Sequence, residues 1–84
     1  MIISVTEDHI IRGEQHDPRG CPVALAVLEH FPNAIIAAGI CLRVGDAWYK
    51  LPRDVVQFEE DFDKGKWVEP FSFEIEEKVW LLGR

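Results

Sequence analysis

The sequence predicts a small α+β domain, with helices on one face of a mixed or antiparallel sheet of about four strands. Three observations predict it. Residues 71–76, Phe-Ser-Phe-Glu-Ile-Glu, alternate strictly between apolar and polar, the period of a half-buried strand. Residues 22–31 are apolar on nearly every side, as in a helix lying inside a core. Val55, Phe58 and Phe62 recur at spacings of three and four, the signature of an amphipathic helix. With 84 residues, 48% of them hydrophobic, the chain has room for a single domain spanning 1–84 and one modest core.

Taken in order, Ile2, Ile3 and Val5 form a first strand that stops at Thr6. Thr6 is a good N-cap, and Glu7 and Asp8 fall in the first helical turn, where the dipole favours acids. His9 to Arg12 continue this short helix, and Gly13 is placed for a left-handed stop. Residues 14–20 contain one proline and otherwise only polar side chains and glycine, and read as a loop. Pro22 suits the first position of the second helix, residues 22–31, which Pro32-Asn33 ends. Residues 34–44 read as one long strand with a bulge or a close backbone approach at Gly39. Gly45-Asp46 is a two-residue hairpin signal, returning an antiparallel strand over 47–51. Pro52 opens the third helix, Gly65 caps its end, and the alternating strand at 71–76 follows. The apolar tail at 79–82 continues that strand or covers a core edge.

Charge is unevenly placed. The net value is −6, and residues 54–77 hold nine acids against Lys64 and Lys66, while residues 1–53 are nearly neutral. Direct nucleic-acid binding needs phosphate neutralisation and is disfavoured; a basic protein surface is the partner this half predicts. The longest apolar run, 34–42, is too short and too broken by glycine to span a bilayer. Residues 1–5 lack the basic and long apolar regions of a secretory signal, so the expectation is a cytoplasmic protein with reduced thiols.

Cys21 is the position where the pattern offers reactivity, since unpaired N–H groups at a helix start can lower a thiol's pKa, although a buried structural cysteine is the commoner outcome there. His9 and His16 are the nearest bases, but neither stands at a recognisable spacing from it. No catalytic residue is assigned beyond Cys21 as a candidate. The five ligand-type residues His9, His16, Cys21, His30 and Cys41 form no CxxC or HxxxH pair, so no metal and no cofactor is expected. Arg19-Gly20 precedes a helix, yet neither GxGxxG nor GxxxxGK surrounds it. The binding residues predicted are Glu59, Glu60, Asp61 and Asp63 on the exposed surface of the third helix. To them are added Glu74 and Glu76 on the last strand, and Trp67 as an aromatic anchor. Charge reversal at Glu59 and Glu60 is expected to weaken partner binding without unfolding the domain.

The string Val5-Thr6-Glu7-Asp8-His9-Ile10-Ile11-Arg12-Gly13, followed by Cys21-Pro22-Val23-Ala24-Leu25-Ala26, resembles small proteins of phage and bacterial genomes. Tyr49-Lys50-Leu51-Pro52, Phe62-Asp63-Lys64-Gly65 and Glu69-Pro70-Phe71-Ser72-Phe73 extend the likeness over most of the chain. The resemblance implies no activity and carries over no functional residue. It implies a phage or mobile-element setting, where small acidic proteins act by binding host proteins. The function expected is therefore non-enzymatic binding to a basic host surface, such as that of a protein handling nucleic acid. A thiol-dependent enzyme or redox protein built on Cys21 is the alternative. A homodimeric assembly component joined through the last strand or Trp80 is another.

Overall fold

In the computed structural model, residues 2–37, 41–45 and 47–75 are described. The order is β1 (Ile2–Val5), α1 (Glu7–Arg12), α2 (Pro22–Leu28), β2 (Ala34–Ala37), β3 (Cys41–Val44), β4 (Ala47–Lys50), α3 (Arg53–Asp63) and β5 (Phe71–Glu74). The α+β class stands, but the single four-stranded sheet does not. β1 pairs with β5 in a two-stranded antiparallel sheet, and β2, β3 and β4 form a separate antiparallel sheet in that order.

The physical reason lies in residues 34–44. An eleven-residue strand would reach about 36 Å, far beyond what partners of four residues could pair. Instead the segment turns back on itself, with Ala34 opposite Val44 and Ile36 opposite Leu42. This register puts Ala34, Ile36 and Leu42 into the core and leaves Arg43 exposed. The expected bulge at Gly39, Ile40, Asp46, Glu76 and the 79–82 tail lie outside the described residues. On β4, Trp48 pairs with Arg43, whose guanidinium lies 5.5 Å from its ring centre.

Strict alternation decides the other sheet. Ile3 faces Phe73 and Val5 faces Phe71 across it, while Ser4 and Ser72 meet on the outer face with Oγ atoms 3.0 Å apart. Phe71 continues the apolar side into α3, its ring 4.7 Å from Phe58 and 5.8 Å from Phe73.

Helix α2 packs against both β1 and β2 and so joins the two sheets. Its near-continuous apolar surface is what that position requires: Pro22, Val23, Ala24, Ala26 and Val27 are all buried. It stops at Leu28, three residues earlier than expected, and a tightened turn follows in which His30 N–H donates to the Val27 carbonyl only three residues back. Gly13 is extended rather than left-handed, with φ −69 and ψ 151. Its role is close approach: a Cβ there would sit 2.6 Å from the Pro22 ring. Gly13→Ala should therefore separate α1 from α2 and lower stability by about 1–3 kcal/mol in urea unfolding. An unchanged midpoint would show that the Pro22 ring can yield.

Helix α3 ends as the sequence predicts. Lys64 is the C-cap and Gly65, at φ +76, takes the left-handed position beyond it. Gly65 N–H donates to Phe62 O and Lys66 N–H to Asp61 O, completing a Schellman motif.

Candidate functional site

The polar loop at 14–20 is stitched down at both ends rather than loose. Glu14 N–H donates to Gly20 O across its neck, and Ile36 N–H on β2 donates to Pro18 O. Toward α3, Gln15 Nε2 donates to Phe62 O and His16 N–H to Asp63 Oδ1 at 2.9 Å. His16 sits at φ +59, a left-handed backbone held by that bond and by a 3.7 Å contact between its Nδ1 and Asp63 Oδ2. Between loop and helix lies a cleft of about 340 Å³. Its wall combines Pro18 and Ile36 with the side chains of His16, Asp17, Cys21, Glu59 and Asp63.

Cys21 is the N-cap residue of α2, as predicted, but its side chain makes no capping bond. It is buried and its Sγ donates to Glu59 Oε2 at 3.1 Å. Burial, and then the charge of Glu59, push the thiol far above its ordinary pKa; the Ala24 backbone pulls the other way. The lowering that a helix start can exert on a thiol is thus outweighed here. His9, the other base considered, is turned away toward Thr6 and Glu29. Both cysteines are free thiols, and Cys41 is the more open of the two. Iodoacetamide at about pH 8 should label Cys41 at least about tenfold faster than Cys21, read by mass spectrometry of the two peptides. A Cys21 that reacts like a free thiol would show that the buried pairing is not maintained.

Glu59 corrects a second expectation. The sequence pattern places it on the exposed surface of α3, yet only 4% of it is accessible. Val55, Phe58, Glu59 and Phe62 share one stripe, so the carboxyl is carried into the interior beside Cys21. Burial raises its pKa from 4.5 to about 7; the Cys21 S–H bond opposes this and the Asp63 charge adds to it. Among the described residues its Oε1 has no hydrogen-bond partner. Charge reversal at this position would put a cation into the core, so it tests folding and not partner binding.

The remaining acids are divided by the fold. Glu60 is exposed and 3.3 Å from Lys64; Asp61 accepts from Gln57 and lies 3.9 Å from Lys66. Asp63 turns to His16. Glu74 is exposed on β5 opposite Ile2, and Glu76 lies outside the described residues, as does Trp80 of the dimer expectation. Trp67 is 82% exposed and lines an open groove of about 910 Å³. Phe58, Val68, Pro70 and Phe71 supply the groove's apolar surface, and Asp54, Asp61 and Glu69 its acids, with Arg53 as the basic group. The groove brings together Asp61 and Trp67 of the predicted binding set; Glu59 and Asp63 fall to the smaller cleft. Asp54 and Glu69 stand outside the predicted set, although each lies in the acidic half of the chain.

Among the described residues, no group of three or more His, Cys, Asp or Glu side chains is arranged to hold a metal ion. No helix among them is long and apolar enough to cross a membrane. Comparison with models of known protein families, with curated proteins and with solved structures gives no match to this chain.

Proposed function

We propose that this chain is a non-enzymatic binding module that takes a basic segment of a partner protein into the Trp67 groove. The observation that carries this reading is Trp67 itself, an indole 82% exposed beside an apolar floor and three carboxylates. A tryptophan in water forgoes a large burial energy that a partner can recover, and anchors of this kind dominate interface energetics. Asp54, Asp61 and Glu69 outnumber Arg53 around the groove, which selects for Lys or Arg beside an apolar side chain. The resemblance to phage and bacterial proteins favours a host protein as the owner of that segment. Against the thiol-enzyme alternative stands the burial of Cys21, whose thiol donates to Glu59 and whose pKa is pushed up.

Fluorescence anisotropy with labelled peptides tests the proposal. Peptides pairing Lys or Arg with Leu or Phe should bind, and their charge-reversed counterparts should not. Affinity should fall steeply as salt rises from about 50 to about 300 mM. Trp67→Ala should weaken binding by about 2 kcal/mol while leaving the thermal midpoint in place. Binding indifferent to salt and to Trp67→Ala would refute the groove as the site.

A further inference from the structure

The cleft between the 14–20 loop and α3 holds a feature the partner groove does not use. Glu59 is 4% exposed and lines this cleft; its Oε2 is occupied by the Cys21 thiol, while Oε1 accepts from no described residue. Buried carboxylate oxygens are satisfied in the great majority of folded proteins, so an unpaired one on a residue that lines a cavity marks a place for a donor. We propose that this cleft binds a primary alkylammonium group, which donates to Glu59 Oε1 near Asp63 and lays its alkyl stem along Pro18 and Ile36.

Each part of that ligand answers something in the cleft. Three carboxylates, Asp17, Glu59 and Asp63, face one imidazole, His16, and the field favours a cation. The wall is apolar at Pro18 and Ile36, which suits a carbon stem and not a bare ion. Among the described residues no side-chain set is arranged for a metal. A guanidinium prefers to grip both oxygens of one carboxylate with its planar fork. Here Oε2 is already engaged by Cys21, leaving a single acceptor suited to a compact ammonium. The volume of about 340 Å³ admits a chain of several carbons.

Glu59 and Asp63 lie on the flank of α3 opposite Asp54, Gln57 and Asp61 of the Trp67 groove, as the helical repeat of 3.6 requires. The two sites can therefore fail independently. The ammonium has two sources, a free small amine or a lysine side chain, and the chemistry of capture is common to both.

The test is a titration of the carboxyl ¹³C signal of Glu59 in the whole chain at about pH 8, with n-butylammonium, Nα-acetyl-lysine amide and 1-butanol as probes. Saturable shifts with an ammonium and none with butanol are expected. A stronger response to butylammonium identifies a free amine, and a stronger response to the lysine derivative a protein side chain. Glu59→Gln should weaken binding by at least about tenfold, and Asp63→Asn by several-fold. Should Glu59→Gln fail to fold, the wild-type chain is sufficient by itself. Ammonium binding stabilises the ionised carboxyl, so the Glu59 titration midpoint must move down from about 7 as probe is added, with His16, Asp17, Cys21 and Asp63 as the other ionisable groups facing it. Butanol matching the ammonium, no saturable shift, or a fixed midpoint overturns the proposal.

Discussion

Replacing His9 with alanine is expected to lower the unfolding free energy by about 3 kcal/mol, a loss large enough to leave so small a domain marginal. The residue is 2% exposed and its ring is bonded at both nitrogens. Thr6 N–H, which can only donate, reaches Nδ1 at 2.9 Å, so the ring proton resides on Nε2. Nε2 then donates to Glu29 Oε2 at 2.9 Å. In the other direction His9 N–H donates to Thr6 Oγ1 at 3.3 Å, which closes a capping box with histidine in the place Glu or Gln usually takes. One imidazole thus fixes the start of α1 and clamps it to Glu29, the C-cap of α2. His9→Gln should keep the cap and recover part of the loss, whereas Glu29→Ala should cost no more than about 1 kcal/mol, since its carboxylate is half exposed. Urea denaturation of the three variants checks the ordering. A His9→Ala midpoint within error of wild type would mean that the helix pair is held by Pro22 against Gly13 alone.

The elements most readable in the sequence are those set by local chemistry. Thr6 and Pro22 open helices, Gly65 closes one, and the alternation at 71–74 makes a strand, each through a rule that spans four or five residues. What stays hidden depends on residues distant in the chain. Nothing local distinguishes a continuous strand over 34–44 from two antiparallel strands, 34–37 and 41–44, because both bury Ile36 and Leu42. The choice is made by the short lengths of the partners and by α2, which occupies the space between the two sheets. Gly13 has the local pattern of a left-handed stop, but its small size answers to Pro22, nine positions later.

The site is legible by the same measure. Cys21 at the N-cap follows from Gly20 and Pro22, but the direction of its pKa follows from burial and then from Glu59, thirty-eight residues away. Glu59 does carry a local signal. It stands four residues after Val55 and three before Phe62, on the apolar stripe, and its residue type hides the position. His16 and Asp63 meet only because the 14–20 loop folds onto the end of α3. Trp67 follows the helix stop directly, where no period applies, and its exposure rests on Phe58 and Phe71 filling the core side of the groove without it.

Glu59 also governs how the fold responds to pH. Stability is expected to fall by on the order of 3 kcal/mol from this residue alone as pH rises from 4.5 to about 7. In the unfolded chain the carboxyl releases its proton near 4.5; in the folded chain burial keeps it bound to about 7. Between those values the native state binds one proton more than the unfolded state, so raising pH draws the equilibrium toward unfolding. The contribution is complete below 4.5 and gone above 7. The difference between the Glu59→Gln variant and wild type isolates the buried group from every other titration. Glu59→Gln preserves shape and an acceptor for Cys21. It should match wild type to within about 1 kcal/mol at about pH 4 and exceed it by about 1–3 kcal/mol at about pH 8. Parallel stability curves for the two proteins across that interval would show that burial does not hold the Glu59 proton. A carboxyl that weakens the fold when ionised is what a cation site needs, because the ligand that offsets its charge restores the lost stability. Adding n-butylammonium at about pH 8 should therefore raise the midpoint of the wild-type chain and leave that of Glu59→Gln where it was.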